Sequence, residues 1–163
     1  MHVCTYICGM KLEEVIRTSR FRDEKHKSTL NILYSAYWLK THFSNALKDQ
    51  GLTAEQFNVL RILKGKHPEE MCVRDIASRT IEKNSNVPRI IDRLVTKKLV
   101  KRTTSKEDKR ETLISLTDKG MGQLETANKI MDKISESVLG INEKEAQLLN
   151  ELLEKLRKVD LPQ

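Results

Sequence analysis

Between residues 85 and 116 the hydrophobic period changes from helical to alternating, and this change restricts the fold more than any other feature. Val87, Ile91, Leu94 and Val95, with Ile90 beside them, recur at the spacing of one helix face over residues 85–98. Ser85 is expected to cap that helix. Pro88 then falls in its first turn, where a missing N–H costs little. Past Leu99 the pattern switches. Residues 100–104 and 111–116 are β-branched and alternating, with Ile114 and Leu116 on one face. The run Ser105-Lys106-Glu107-Asp108-Lys109-Arg110 between them is too polar to be buried, and Thr117 is placed to cap another helix. From Asn84 to Gly120 the chain therefore reads as a helix, a hairpin with a charged tip, and the start of a further helix.

Charge is concentrated in the same stretch. The chain has 30 Lys+Arg and 23 Asp+Glu, a net charge of +7. Between Arg79 and Arg110 stand 11 basic residues against 4 acidic ones, so the whole excess lies there and the remainder balances. A basic helix followed by a basic hairpin tip is the electrostatic footprint of a duplex-DNA reader. A solvated basic surface is the blander reading of the same charge.

The flanks read as helices. Only 4% of residues are aromatic, and six Gly and three Pro leave little room for an all-β fold. Residues 22–48 form a long helix with Leu30, Leu33, Tyr34, Tyr37 and Trp38 on one stripe, expected to pack against other helices. The sharper reading of Tyr34, Tyr37 or Trp38 is the lining of a small-molecule pocket. Gly51 breaks the pattern. Thr53 and Gln56 have capping-box spacing, Leu52 and Phe57 staple spacing, and Phe57, Leu60 and Leu63 form an apolar side. Cys72-Val73 suits a short strand. Residues 74–80 make a brief helix with Ile76 and Ala77 inward, and Ile81–Lys83 a tight turn. Two short helices across such a turn make a helix-turn-helix, and the basic hairpin makes it a winged one.

Residues 118–139 repeat Leu124, Met131 and Val138, and Ala127, Ile134 and Ile141, every seven residues. Asn142 and Glu145 cap a last helix in which Leu148, Leu149, Leu152, Leu153 and Leu156 are expected to be buried. The expected fold is mainly α with a small β-hairpin wing. Residues 10–50 and 118–163 are N- and C-terminal helical dimerisation segments around a winged helix-turn-helix domain at 51–117. Residues 1–9 carry no acid or base and read as a non-native or disordered extension, with Met10 as the true start. Cys4 and Cys8, with no further ligand nearby, are too sparse for a metal site, and Cys72 reads as a buried, inert thiol. Three cysteines without a secretion signal point to the cytoplasm, and no apolar run is long enough to cross a membrane.

The run Asp108-x-Arg110-x-x-x-Ile114-x-Leu116-Thr117-x-x-Gly120 resembles the wing signature of MarR-type transcriptional regulators. Leu52-Thr53-x-x-Gln56-Phe57-x-Val59-Leu60 and Arg93-Leu94-x-x-Lys97-x-Leu99-Val100 resemble that family's second helix and the end of its recognition helix, and the likeness spans roughly residues 25–157. The resemblance implies a winged-helix homodimer that binds double-stranded DNA at a pseudo-palindromic operator. Such proteins usually act as repressors, and a small, often aromatic, ligand or thiol oxidation releases many of them. It also implies DNA-binding roles for individual residues. Arg110 would enter the minor groove, and Asp108 would pair with it and hold its orientation. Asn84, Ser85, Asn86 and Arg89 would meet base edges and nearby phosphates in the major groove. Arg93, Lys97, Lys98 and Lys106 would contact phosphates. Pro88 departs from the family pattern and removes a backbone donor.

No Gly-rich phosphate loop, GxSxG, HExxH or paired CxxC is present, and the four His are scattered. An enzyme is not expected, nor a cofactor or a metal. The remaining rival is a winged-helix adaptor that binds a protein, since fold alone does not fix function.

Overall fold

The computed structural model describes residues 10–83 and 85–158. The expectations about Met1, Cys4, Cys8 and Asn84 lie outside those residues. The chain divides into two units, residues 1–45 and 46–163.

In the first unit, α1 (Leu12–Val15) precedes the long α2 (Glu24–Lys48), which runs on into the second. The Asp23 carboxylate caps α2 by accepting the His26 N–H at 2.7 Å. Lys27 Nζ donates to Glu13 Oε1 at 2.6 Å and lies 5.4 Å from the centre of the Phe21 ring. This ion-paired hydrogen bond holds the Glu13 carboxyl below its ordinary range and the Lys27 ammonium above its own. The aromatic stripe does not form the expected core: Leu33 and Tyr37 are 63% and 68% exposed, and the one buried residue of α2 is Leu47. Leu30, Tyr34 and Trp38 of the same stripe are half-buried.

The second unit is built around α3 (Ala54–Lys64), whose Phe57, Val59, Leu60 and Leu63 are all buried. Its start is fixed twice. Gly51 takes φ +63°, so that Gly51 N–H donates to Lys48 O and Leu52 N–H to Leu47 O, which closes α2 with a Schellman turn. Thr53 and Gln56 then form the expected capping box, at 3.2 and 3.3 Å. After α3 come β1 (Met71–Cys72), α4 (Val73–Arg79), α5 (Val87–Thr96), β2 (Val100–Thr104), β3 (Thr112–Leu116), α6 (Asp118–Val138) and α7 (Glu143–Leu156). The short strand begins one residue earlier than the sequence suggests, because Cys72 Sγ accepts the Asp75 N–H at 3.4 Å and caps α4.

The sheet is antiparallel with order β1-β3-β2. Val100 pairs with Leu116 and Thr104 with Thr112, so β3 lies at the centre. Ile76, Ile91, Leu94, Ile114 and Leu124 form one core with α3. Gly120 makes that packing feasible, since a Cβ there would stand 1.9 Å from Leu99 O. Thr117 caps α6 as expected, accepting the Gly120 N–H at 3.0 Å.

Farther along, the heptad seam of α6 emerges from the core: Leu124 and Ala127 are buried, whereas Ile141 is 40% exposed. The capping box of Asn142 and Glu145 forms as expected. The expected burial of the α7 leucines does not hold, for Leu148, Leu149, Leu152 and Leu156 are 44–56% exposed and no residue of α7 is buried. Their spacing makes an apolar stripe that is exposed among the described residues. Among the described residues no helix is long and apolar enough to cross a membrane.

Candidate nucleic-acid interface

The basic helix is α5, and its cap differs from the expected one. Asn86, not Ser85, occupies the N-cap and accepts the Arg89 N–H on Oδ1 at 3.1 Å. The reason lies in Pro88. A cap reaches the N–H of the second or third helical residue. From Ser85 the third would be Pro88, which has none, whereas from Asn86 it is Arg89. Ser85 instead sits in the preceding turn, donating its N–H to Glu82 O and accepting from Val87 N–H.

In front of α5 lies an open groove of about 320 Å³, which brings together Ser85, Asn86, Arg89 and Arg93. Asn86, Arg89 and Arg93 are exposed and Ser85 is half-buried. Two carboxylates, Glu55 and Glu82, also line it. Nothing in the sequence flags Glu55, which reaches the groove from the first turn of α3.

The two lysines at the end of α5 have separate fates. Lys97 Nζ donates to Gln56 Oε1 at 2.9 Å and to Gly51 O, so it braces α5 against the start of α3 instead of standing free for a phosphate. Lys98 is exposed and has φ +60°. It closes α5 with the same turn that Gly51 makes after α2, donating its N–H to Val95 O while Leu99 N–H donates to Leu94 O.

The hairpin tip is organised by its own short polar side chains. Ser105 Oγ accepts the N–H groups of Glu107 and Asp108 at 3.2 and 3.3 Å, and Ser105 is buried although the tip as a whole reads as too polar for it. Asp108 Oδ1 accepts the Arg110 backbone N–H at 2.9 Å. Asp108 thus fixes the main chain at Arg110 and does not grip the guanidinium. Lys106 and Arg110 are exposed at the tip.

Two further side chains locate the wing, and neither was flagged by the sequence. Asp92 of α5 forms a salt bridge with Arg102 of β2. The Glu70 carboxylate accepts hydroxyl hydrogen bonds from Thr103 at 3.0 Å and Ser115 at 3.2 Å, joining β2 to β3 from outside the sheet. Cys72 is buried, as read. Among the described residues no cluster of His, Cys, Asp or Glu is arranged to hold a metal ion.

The assembly offers exposed cations at two points, a donor-rich groove along α5 and a basic hairpin tip, on one packed core. Residues 41–127 match the family model described as transcriptional regulator SarA/Rot. The HTH-type transcriptional regulator MhqR of Bacillus subtilis is 27% identical over 140 residues, covering 82% of this chain and 92% of that protein. The structure of Bordetella bronchiseptica BpsR, described in terms of regulation of its DNA binding by 6-hydroxynicotinic acid, superposes with a TM-score of 0.69 at 28% identity over 80% of this chain and 93% of that one. The S. aureus MepR–DNA complex gives a TM-score of 0.69 at 25% identity over 79% and 94%.

Proposed function

The chain belongs to the SarA/Rot family of transcriptional regulators, winged-helix proteins of MarR type, and from that membership we propose that it is a cytoplasmic homodimeric repressor that binds a pseudo-palindromic operator. The observation that carries the reading is the pairing of the α5 groove, with Ser85, Asn86, Arg89 and Arg93, and a hairpin tip that exposes Lys106 and Arg110. A helix of this kind fits the major groove and an arginine at a wing tip fits the adjacent minor groove. Residues 51–117 are the DNA-binding domain in this reading, and 10–50 with 118–163 supply the dimer contacts. The exposed Leu33 and Tyr37 of α2 and the leucine stripe of α7 support that division, because apolar stripes of this length want a partner surface. A small aromatic ligand that releases the operator is proposed by analogy with the BpsR structure.

The test is a binding titration of the purified protein against the DNA flanking its own gene and against random duplex, at low and physiological salt. Preferential binding to the flanking DNA that weakens steeply with salt is the expected result, because neutralised phosphates release counterions. Salt-insensitive binding, or none from a folded dimer, refutes it.

A further inference from the structure

We propose that the Asp92–Arg102 ion pair is a positioning device for DNA binding: it sets the wing against α5 so that the helix and the hairpin tip engage adjacent grooves together. The inference rests on the DNA-reading function proposed above. It follows from where the pair stands in the hairpin. Val100, Arg102 and Thr104 of β2 share one face, and their partners on β3 are Leu116, Ile114 and Thr112. Val100 and Leu116 are buried, Arg102 is exposed beside the buried Ile114, and Thr104 and Thr112 are both exposed. On this face the apolar contact of the hairpin with the core therefore ends at the level of Arg102. Farther out lies the tip with Lys106 and Arg110. At that last level Arg102 Nη2 donates to Asp92 Oδ1 of α5. β2 is also an edge strand, paired with β3 alone. Glu70 holds the other face of the hairpin through Thr103 and Ser115, but its bonds stay within the sheet and the residue that leads into β1. The ion pair joins the hairpin to the helix.

Two features separate positioning from plain stability. The side chains of Asp92 and Arg102 are 59% and 40% exposed, and pairs so exposed add little to folding. Asp92 is also an acid in the most basic stretch of the chain, where 4 acidic residues stand against 11 basic ones. Phosphates repel a carboxylate, so on charge alone Asp92→Asn should tighten DNA binding. A brace has the opposite sign, because a wing that is not held in place must be ordered when DNA binds, at an entropic cost.

The experiment measures binding of the full-length protein to the duplex that the wild type selects from a randomised pool, with hydroxyl-radical footprinting of the minor groove. The variants are Asp92→Asn, Arg110→Ala, the two combined, and the charge swap of Asp92→Arg with Arg102→Asp. Asp92→Asn is expected to bind roughly three- to thirty-fold more weakly, within the range that loss of one groove contact costs. It should lose the minor-groove protection beside each half-site and melt at the wild-type temperature. In the Arg110→Ala background the same substitution should change affinity by less than about two-fold, because it acts through the tip. The swap keeps the net charge and should recover most of the affinity that Asp92→Asn loses. Unchanged or tighter binding by Asp92→Asn overturns the inference. So do losses that add to those of Arg110→Ala, or a swap that melts like the wild type and recovers nothing. A wild type that selects no sequence and binds no duplex refutes the DNA-reading function itself, a result distinct from failure at Asp92.

Discussion

Arg110 stands at an exposed tip whose main chain Asp108 and Ser105 already hold, so its side chain contributes little to folding. Arg110→Ala should weaken operator binding by about 1–3 kcal/mol and leave the melting temperature unchanged, measured by titration and thermal unfolding. Wild-type affinity would remove the wing from the interface. Lys97 should behave in the opposite way. Lys97→Met breaks its bonds to Gln56 and Gly51, so the melting temperature should fall while the salt dependence of DNA binding stays as it was. A shallower salt slope would return Lys97 to the phosphate contacts. Lys98 in the left-handed region is a third case: Lys98→Gly removes the Cβ strain at φ +60° and should stabilise the fold by up to about 1 kcal/mol in denaturant unfolding.

Elements were readable from the sequence wherever their signal is local. The capping boxes at Thr53 and Asn142, the Thr117 cap and the period change after Leu99 each depend on residues within four positions, and each formed. Even the misplaced cap at Ser85 could have been read correctly by asking which N–H Pro88 removes. The contacts that carry no local signal span the chain. Lys97 reaches back 46 residues to Gly51, Glu70 reaches forward 45 to Ser115, and Asp92 meets Arg102 only because β2 turns back along α5. No periodicity encodes such pairs. At the N-terminus, the tie of α1 to α2 should respond to pH through Glu13 and Lys27. Glu13 has a lowered folded pKa, so its contribution is present above the ordinary carboxylate range around 4.5 and fades as pH falls through the folded value. Lys27 has a raised one, so its contribution is complete below about 10.5 and fades as pH rises beyond it. Amide exchange or NMR shifts at residues 12–15 should therefore report a plateau between those limits, which Glu13→Gln abolishes.

For the whole molecule, the sequence marks the α7 leucines as apolar and assigns them to a dimerisation segment, although an apolar stripe is the same signal whether its partner lies in the same chain or another. With Leu148, Leu149, Leu152 and Leu156 exposed, Leu152→Glu should turn the proposed dimer into a monomer by sedimentation and weaken operator binding with it. A variant that stays dimeric and binds as before would place the dimer contacts elsewhere. In the dimeric reading the half-sites lie about one helical turn, roughly 10 bp, apart, and a footprint over a single half-site would oppose it.

The strand order also governs the sequence of events during synthesis. Because β3 is the last strand made and the middle one in space, β1 and β2 have no partner until Thr112–Leu116 has been translated. The chain grows at about 5–20 residues per second. Met71 and Cys72 must therefore leave the ribosome seconds before Ile114 and Leu113 arrive to pair with them. The helix-turn-helix is complete in the nascent chain by residue 96, but its sheet closes only after residue 116 emerges. A nascent chain stalled before β3 should carry the helices without a wing, and the competent DNA-reading surface should appear as a late, single event of synthesis.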